Sequence, residues 1–154
     1  MKVKIKKIDD KAVTPFKTYA KDFCYDCVAT SCEEVAPNIY KYGIGLAFEM
    51  DITEKKYFEG YNYSISFRPR SSIWKTGMIL SNCVGTIDEL FHSEVSAVFY
   101  HLYPTMPKYE VGDKIGQIYI SKTEPIFFEI VDELTETGRG GYGSTGLKVG
   151  NNGN

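Results

Sequence analysis

The C-terminal end of the chain carries its densest group of possible anion-binding residues. Seven of the fourteen glycines in this 154-residue sequence follow Thr137. Glycine at that density builds no core, so the segment should be mobile until a ligand orders it. Its backbone N–H groups could cradle a phosphate beside the hydroxyls of Ser144 and Thr145, while Tyr142 offers a flat face to a base. A disordered tail, or an RNA contact through its single Arg-Gly-Gly, remains an alternative.

Cysteine is the second residue type whose spacing could support chemistry. Cys24 and Cys27 form a CxxC pair, which raises the question of a zinc or redox site. A closed zinc site needs four ligands, and Cys32 and Cys83 supply no second CxxC. The two histidines stand at no ligand spacing from them. We therefore expect reduced, structural thiols.

A hydrophobic period of two dominates the elements that must position these residues. Apolar side chains alternate over 44–48, 61–67 and 95–99, and turn residues separate the runs. Only 72–78 has the pattern of a helical turn, and the charged segment 51–60 is typical of a hairpin tip or insertion. Many short strands rich in Tyr, Phe, Ile and Val predict an all-β sandwich or jelly roll.

Composition is that of one ordinary domain, with 43% apolar and 25% charged residues. The net charge of −2 argues against a general nucleic-acid binder, which needs a basic face, but not against a small phosphorylated ligand. The N-terminus has no apolar signal region, and no apolar run reaches the roughly 18 residues of a membrane helix. We expect a cytoplasmic protein that binds neither nucleic acid nor membrane, with a domain over 1–136 and a flexible tail over 137–154.

Five short segments carry most of the polar residues that could act together. They are Phe23-Cys-Tyr-Asp-Cys-Val-Ala29, Arg68-Pro-Arg-Ser-Ser-Ile73, the stretch from Asn82 to Glu94, Val111-Gly-Asp-Lys-Ile-Gly-Gln117 and Gly141-Tyr-Gly-Ser-Thr-Gly146. In this order they resemble the five motifs of the trimeric dUTPase family, such as Ala-Gly-Tyr-Asp-Leu-x-Ala, Pro-Arg-Ser-Gly/Ser-Leu and Gly-Asp-Arg-Ile-Ala-Gln. Each motif alone is a modest signal, whereas five in the right order form a strong one.

The resemblance implies a fold, an activity and an assembly. The fold is a distorted jelly-roll or β-clip barrel with a mobile glycine-rich C-terminal tail. The activity is that of a magnesium-dependent dUTP diphosphatase, a hydrolase that converts dUTP to dUMP and pyrophosphate by attack of water on the α-phosphate. The assembly is a homotrimer in which one subunit supplies motifs one, two and four, a second the hairpin of motif three, and a third the tail.

Five residues of this chain fall on positions that the family uses for chemistry. Asp88 matches the general base that deprotonates the attacking water. Asp26 matches the carboxylate that holds Mg²⁺ through water, a role that suits an ion which keeps most of its water ligands. Arg70 would grip phosphate oxygens and Ser71 would donate to the phosphate bridge. Gln117 would hydrogen-bond near the α-phosphate and the water.

The resemblance also implies residues that bind the nucleoside and close the site. Ser72 would contribute its backbone N–H, and Asn82 and Gly85 belong to a hairpin whose main chain would read uracil. Phe91 replaces the family's tyrosine under the deoxyribose. The implied substrate-binding residues of the tail are Tyr142, which replaces the phenylalanine that stacks on uracil, Gly143, Ser144, Thr145 and Arg139. Arg139 lies two residues after the slot of the family's tail arginine, and we expect a shifted loop to bring it to the γ-phosphate.

Two alternatives come from other classes of function. The related dCTP deaminases share a similar hairpin, but the position of their catalytic glutamate is Val98 here, which cannot shuttle protons. A catalytically weak protein of the same family could instead serve as a nucleotide-gated binding or regulatory module. Release of pyrophosphate from dUTP distinguishes these alternatives.

Overall fold

The computed structural model describes residues 1–51 and 60–138. This part contains ten strands and one short 3-10 helix over Ser71–Lys75. The strands are β1 (Lys2–Lys7), β2 (Tyr25–Val28), β3 (Glu33–Ala36), β4 (Ile39–Gly43), β5 (Leu46–Asp51), β6 (Asn62–Arg68), β7 (Met78–Leu80), β8 (Gly85–Asp88), β9 (Ser96–His101) and β10 (Lys114–Thr123). The predicted all-β class is confirmed. The expected hairpin tip falls mainly on residues 52–59, outside the described ranges.

The strands form three antiparallel sheets. Two have four strands each, in the orders β2-β10-β6-β8 and β3-β4-β9-β7, and β1 pairs with β5 in a third. Apolar side chains from all three sheets join a single buried cluster, so the fold is built of layers packed around one core.

An aromatic group lies at the centre of that core. The rings of Tyr42, Phe99 and Tyr109 pack edge to face, with centroid separations of 5.5 to 6.3 Å. The Tyr42 hydroxyl donates to the carbonyl of Tyr109 at 2.7 Å. Burial raises the pKa of both tyrosines, which keeps the two phenols neutral.

The sheet β2-β10-β6-β8 has one apolar and one polar face. Residues directly opposite each other on antiparallel strands share a face. Ile65, Phe67 and Ile118 point into the core, and the residues between them point outward. The outward face carries Gln117, with Asp26 of β2 on one side and Arg68 of β6 on the other. This face therefore holds several of the predicted site residues.

All four cysteines lie in the described part of the chain, and all are free. Cys27 is buried, whereas Cys32 and Cys83 are exposed. Burial, reinforced by the negative charge of Asp26, raises the pKa of the Cys27 thiol to about 12. Cys27 is thus a neutral core side chain rather than a nucleophile.

Within residues 1–51 and 60–138, no helix has the length and apolar character needed to cross a membrane.

Candidate active site

Two cavities contain seven of the nine predicted site residues of the described ranges. The charged pocket, of about 360 Å³, lies beside β2 and is lined by Thr18, Tyr19, Asp22, Phe23, Cys24, Asp26, Arg70 and Gln117. The hairpin pocket, of about 200 Å³, lies along β8 and is lined in part by Asn82, Gly85, Asp88, Phe91 and Glu94. Motifs one, two and four thus meet in one cavity, and motif three forms another.

Asp26 is the centre of the charge arrangement in the charged pocket. Its side chain is 13% exposed, and its Oδ1 lies 3.4 Å from Nε of Arg70. Its Oδ2 lies 2.9 Å from Nζ of Lys114, which also donates to the Thr18 hydroxyl at 3.2 Å. One carboxylate therefore faces two cations that are only partly exposed. Both cations carry donors that could bind the oxygens of a phosphate.

Arg70 reaches the pocket because the chain turns sharply after β6. Arg70 is extended, with φ −76° and ψ 153°, and the 3-10 helix starts at the next residue. Its carbonyl accepts the N–H of Ile73 at 3.0 Å, which closes the first turn. Ser71 and Ser72 begin that helix, but in the described structure neither lines the charged pocket. The structure therefore brings Arg70 to Asp26 and leaves both serines beside the pocket.

Gln117 is positioned by the packing beneath β10. Gly116 is buried against the ring of Phe67, and a Cβ added at Gly116 would clash with that ring. The aromatic ring can fill this space only because residue 116 has no side chain, where the family motif has alanine. Phe67 also lines the hairpin pocket. A single core side chain thus supports both cavities.

The hairpin pocket brings together the four residues predicted from motif three. Ile87 packs against the core while the next residue, Asp88, is exposed, as their alternation predicts. The N–H of Phe91 donates to the carbonyl of Asp88 at 3.0 Å, which forms the turn at the end of β8. Phe91 is 44% exposed. Its ring is therefore available to a ligand.

Glu94 also lines the hairpin pocket, although the sequence analysis assigned it no role. Its Oε1 accepts the N–H of Gly45 at 2.9 Å, which fastens the segment after the hairpin to the start of β5. Gly45 has φ +66°, a conformation that favours glycine. The only sequence signal was the position of Glu94 at the end of the third motif.

The register separates the two pockets within one chain. Asp88 is opposite Ser64 of β6, and Gln117 is opposite Arg68. Ser64 and Arg68 lie about 13 Å apart at the usual rise per residue, and β8 and β10 flank β6 at about 5 Å on either side. A general base must come within roughly 3 Å of the water that it deprotonates. One chain therefore does not bring Asp88 to the phosphate-binding side chains.

The predicted tail residues Arg139, Tyr142, Gly143, Ser144 and Thr145 lie outside the described residues. Their roles stay predictions.

The carboxylates of the described residues suit Mg²⁺ only if the ion keeps its water ligands and Asp26 binds those waters. Over the two described ranges, no group of three or more His, Cys, Asp or Glu side chains could hold a metal ion. Asp26 is one carboxylate already engaged by two cations. Such a group suits an ion that keeps its own waters and takes its other ligands from phosphate, rather than an ion held in a protein cage.

Comparison with known proteins identifies the family. No family model matches the chain. The deoxyuridine 5'-triphosphate nucleotidohydrolase of Clostridium novyi (strain NT) is 33% identical over 153 residues, which cover 96% of this chain and 100% of that protein. The chain belongs to the dUTPase family.

Solved dUTPases share its fold. The Staphylococcus bacteriophage 80alpha dUTPase with dUPNHPP has a TM-score of 0.74 and 18% identity, and the match covers 95% of this chain and 99% of that one. A mutant dUTPase from phage phi11 of S. aureus, whose structure concerns the coordination of a structural Mg(II) ion, has a TM-score of 0.67 and 16% identity over 88% and 100% of the two chains. The expected jelly-roll fold of the dUTPases is confirmed.

Proposed function

We propose that this member of the dUTPase family hydrolyses dUTP to dUMP and pyrophosphate. The observation that carries the proposal is the cluster of Arg70, Asp26 and Lys114 beside Gln117, which places two cations at the position of the family's phosphate-binding motifs. The hairpin pocket, with Asp88 and Phe91 on its wall, suits the nucleoside and the general base.

The reaction then divides among residues of this chain. Asp88 orients a water and takes its proton, and the water oxygen attacks the α-phosphorus in line with the leaving group. The bond from the α-phosphorus to its bridging oxygen breaks, and pyrophosphate departs. Arg70 and Ser71 stabilise the negative charge that builds on the leaving phosphates.

We propose that Asp26 would hold Mg²⁺ through water. When bound, the ion would neutralise phosphate charge and favour the departure of pyrophosphate. Asp26 also keeps Arg70 and Lys114 close to the pocket, where a phosphate could compete for them.

A homotrimer with shared sites is part of the proposal. The separation of Asp88 from Gln117 supports it, because a second chain would have to supply the base. Exposed apolar side chains in the segment after β10 also support assembly, because surfaces of this kind are typical of contacts between chains. They are Ile126, Phe127, Phe128, Ile130 and Leu134, each between 68% and 99% exposed.

We further propose that residues 137–154 form a tail that closes over a neighbouring site, with Tyr142 on the base and Arg139 at the γ-phosphate. Truncation after Leu134 tests this role. The truncated chain should fold and assemble, because the core and all described strands precede the cut. Its turnover of dUTP should fall sharply, since a base stacked on an aromatic ring is worth about 1–3 kcal/mol. Full activity in the truncated chain would contradict the proposal.

The activity itself is tested by measuring pyrophosphate release from dUTP, dCTP, dTTP and UTP, with and without Mg²⁺. Magnesium-dependent release from dUTP, with little from the other three, is the expected result. Ammonia from dCTP would indicate a deaminase. Binding of dUTP without pyrophosphate release would indicate a nucleotide-gated binding module.

A further inference from the structure

We propose that Arg68 is a second arginine of the active site and binds the α-phosphate, the one that the product dUMP keeps. This assignment rests on the proposed dUTP hydrolysis. Arg68 stands immediately before the Pro-Arg-Ser string of motif two, so the resemblance to the family assigns it no role.

The register puts Arg68 in the row of site residues. Asp26, Gln117 and Arg68 are direct neighbours on β2, β10 and β6 and share the outward face of the sheet. Asp26 and its partner Arg70 lie on one side of Gln117, and Arg68 lies on the other. A triphosphate whose terminal phosphates face Asp26 and whose α-phosphate lies at Gln117 would therefore meet Arg68 next.

Neighbouring side chains hold the Arg68 guanidinium in place. It lies over the ring of Tyr119, 4.5 Å from the centroid, and Nη2 donates to the Tyr119 hydroxyl. The hydroxyls of Ser66 and Ser121 are 2.9 Å apart. Hydrogen bonds from Ser121 and Ser66, aided by Arg68, lower the pKa of Tyr119. Arg68 is thus oriented before any ligand arrives.

The same stack reaches the wall of the charged pocket. The ring of Phe23 packs on Tyr119 with centroids 5.2 Å apart, and Phe23 lines the charged pocket together with Arg70 and Gln117. An arginine whose position is fixed at the rim of a phosphate site loses little side-chain freedom when it binds an anion.

The charge of Arg68 is also available. In residues 1–51 and 60–138, the arginine that pairs with a carboxylate is Arg70, and no carboxylate pairs with Arg68. The Arg68 side chain is exposed, so a phosphate would displace water rather than an ion-pair partner. A guanidinium of this kind can bind phosphate oxygens in a bidentate manner.

Inhibition of dUTP hydrolysis by ligands that carry different parts of the substrate tests the assignment. In Arg68→Met, the inhibition constant of dUMP should rise about 10- to 100-fold, the range of a charge-assisted hydrogen bond. The inhibition constants of deoxyuridine, which has no phosphate, and of pyrophosphate should not change. Equal weakening of dUMP and deoxyuridine would overturn the proposal, as would weakened inhibition by pyrophosphate with unchanged inhibition by dUMP.

Lys122→Met is the matched control. Lys122 is a β10 cation over an aromatic ring, 4.3 Å from the centroid of Tyr61, and five residues from Gln117, which is about 17 Å along the strand. Its loss should leave all three inhibition constants unchanged. An effect on dUMP as large as that of Arg68→Met would show a general charge effect and overturn the assignment.

Two milder variants keep the test decisive if Arg68→Met does not fold. Tyr119→Phe removes the hydroxyl that orients the guanidinium, and Arg68→Lys keeps the charge but loses the planar fork. Both should raise the inhibition constant of dUMP by less than the methionine variant, and no change in either would overturn the proposal. A wild-type chain that releases no pyrophosphate from dUTP would refute the proposed function itself, whereas an active wild type with a normal Arg68→Met refutes only the role of Arg68.

Discussion

The charged pocket and the hairpin pocket differ in the ion pairs that their carboxylates make. In the charged pocket, two cations converge on the carboxylate of Asp26 before any ligand is bound. In the hairpin pocket, Asp88 is exposed, and among the described residues no cation pairs with it. The register keeps the proposed base and the two cations in separate pockets of one chain.

The contrast between the two pockets is tested most strongly by removing the proposed general base, Asp88, alone. Asp88→Asn keeps the shape of the side chain but not its ability to take a proton. Turnover of dUTP should fall by roughly 10²- to 10⁴-fold, while the affinity for dUMP stays close to that of the wild type. Steady-state kinetics and product inhibition measure the two quantities. Near-normal turnover would show that the hairpin pocket does not supply the base.

The charged pocket should respond through its metal requirement. Asp26→Asn removes the carboxylate that would hold Mg²⁺ through water, so the Mg²⁺ concentration for half-maximal activity should rise about 10- to 100-fold, the usual cost of losing an outer partner of a metal site. Asp9→Asn is the control, because Asp9 accepts a backbone N–H from Lys11 away from both pockets. The same magnesium dependence in both variants would return Asp26 to a purely structural role.

Phe67, which supports both pockets, predicts that a larger residue at position 116 lowers the free energy of unfolding. Gly116→Ala would press a methyl group against the ring of Phe67, and overpacking of this kind costs about 1–3 kcal/mol. Denaturant unfolding should show the loss, and Phe67→Leu in the same chain should recover part of it. Additive losses in the double variant would show that the two residues do not share this space.

The smallest effect concerns the thiols, which differ in burial. The pKa of Cys27 is raised from 9.0 to about 12. The buried thiol stabilises the folded chain only while it is neutral. Its contribution to the free energy of unfolding is therefore complete below pH 9 and is lost as the pH rises through 12. Near pH 8, iodoacetamide should label the exposed Cys32 and Cys83 in the native protein and Cys27 only after unfolding. Mass spectrometry identifies the labelled cysteines. Rapid labelling of Cys27 in the native protein would contradict its burial.

Local pattern was sufficient to predict much of the fold. Alternation over 44–48, 61–67 and 95–99 predicted strands that overlap β5, β6 and β9. The pairing of β1 with β5 joins residues more than forty positions apart, such as Lys2 and Asp51. No local pattern specifies such a pairing, because it depends on which surfaces bury each other in the folded chain.

The candidate site was likewise predictable from the sequence only in part. Motif order led to the prediction of Asp26, Arg70, Gln117 and Asp88 as site residues, because each lies in a short string that is similar to the family's. Spacing along the chain could not reveal that Lys114 pairs with Asp26 across β2 and β10. It also could not reveal that Phe67 occupies the space left by Gly116. Both facts follow from register and packing rather than from residue type.

The claim that each active site is shared between chains is tested most directly by mixing two inactive variants. Arg70→Met lacks a phosphate ligand and Asp88→Asn lacks the base, so each alone should be nearly inactive. If a site takes Arg70 from one chain and Asp88 from another, random trimers from an equal mixture should have both residues intact in about one quarter of their sites. Turnover should then return to about a quarter of the wild-type value per site. Mixed trimers, verified by mass spectrometry, that are no more active than the separate variants would contradict the account.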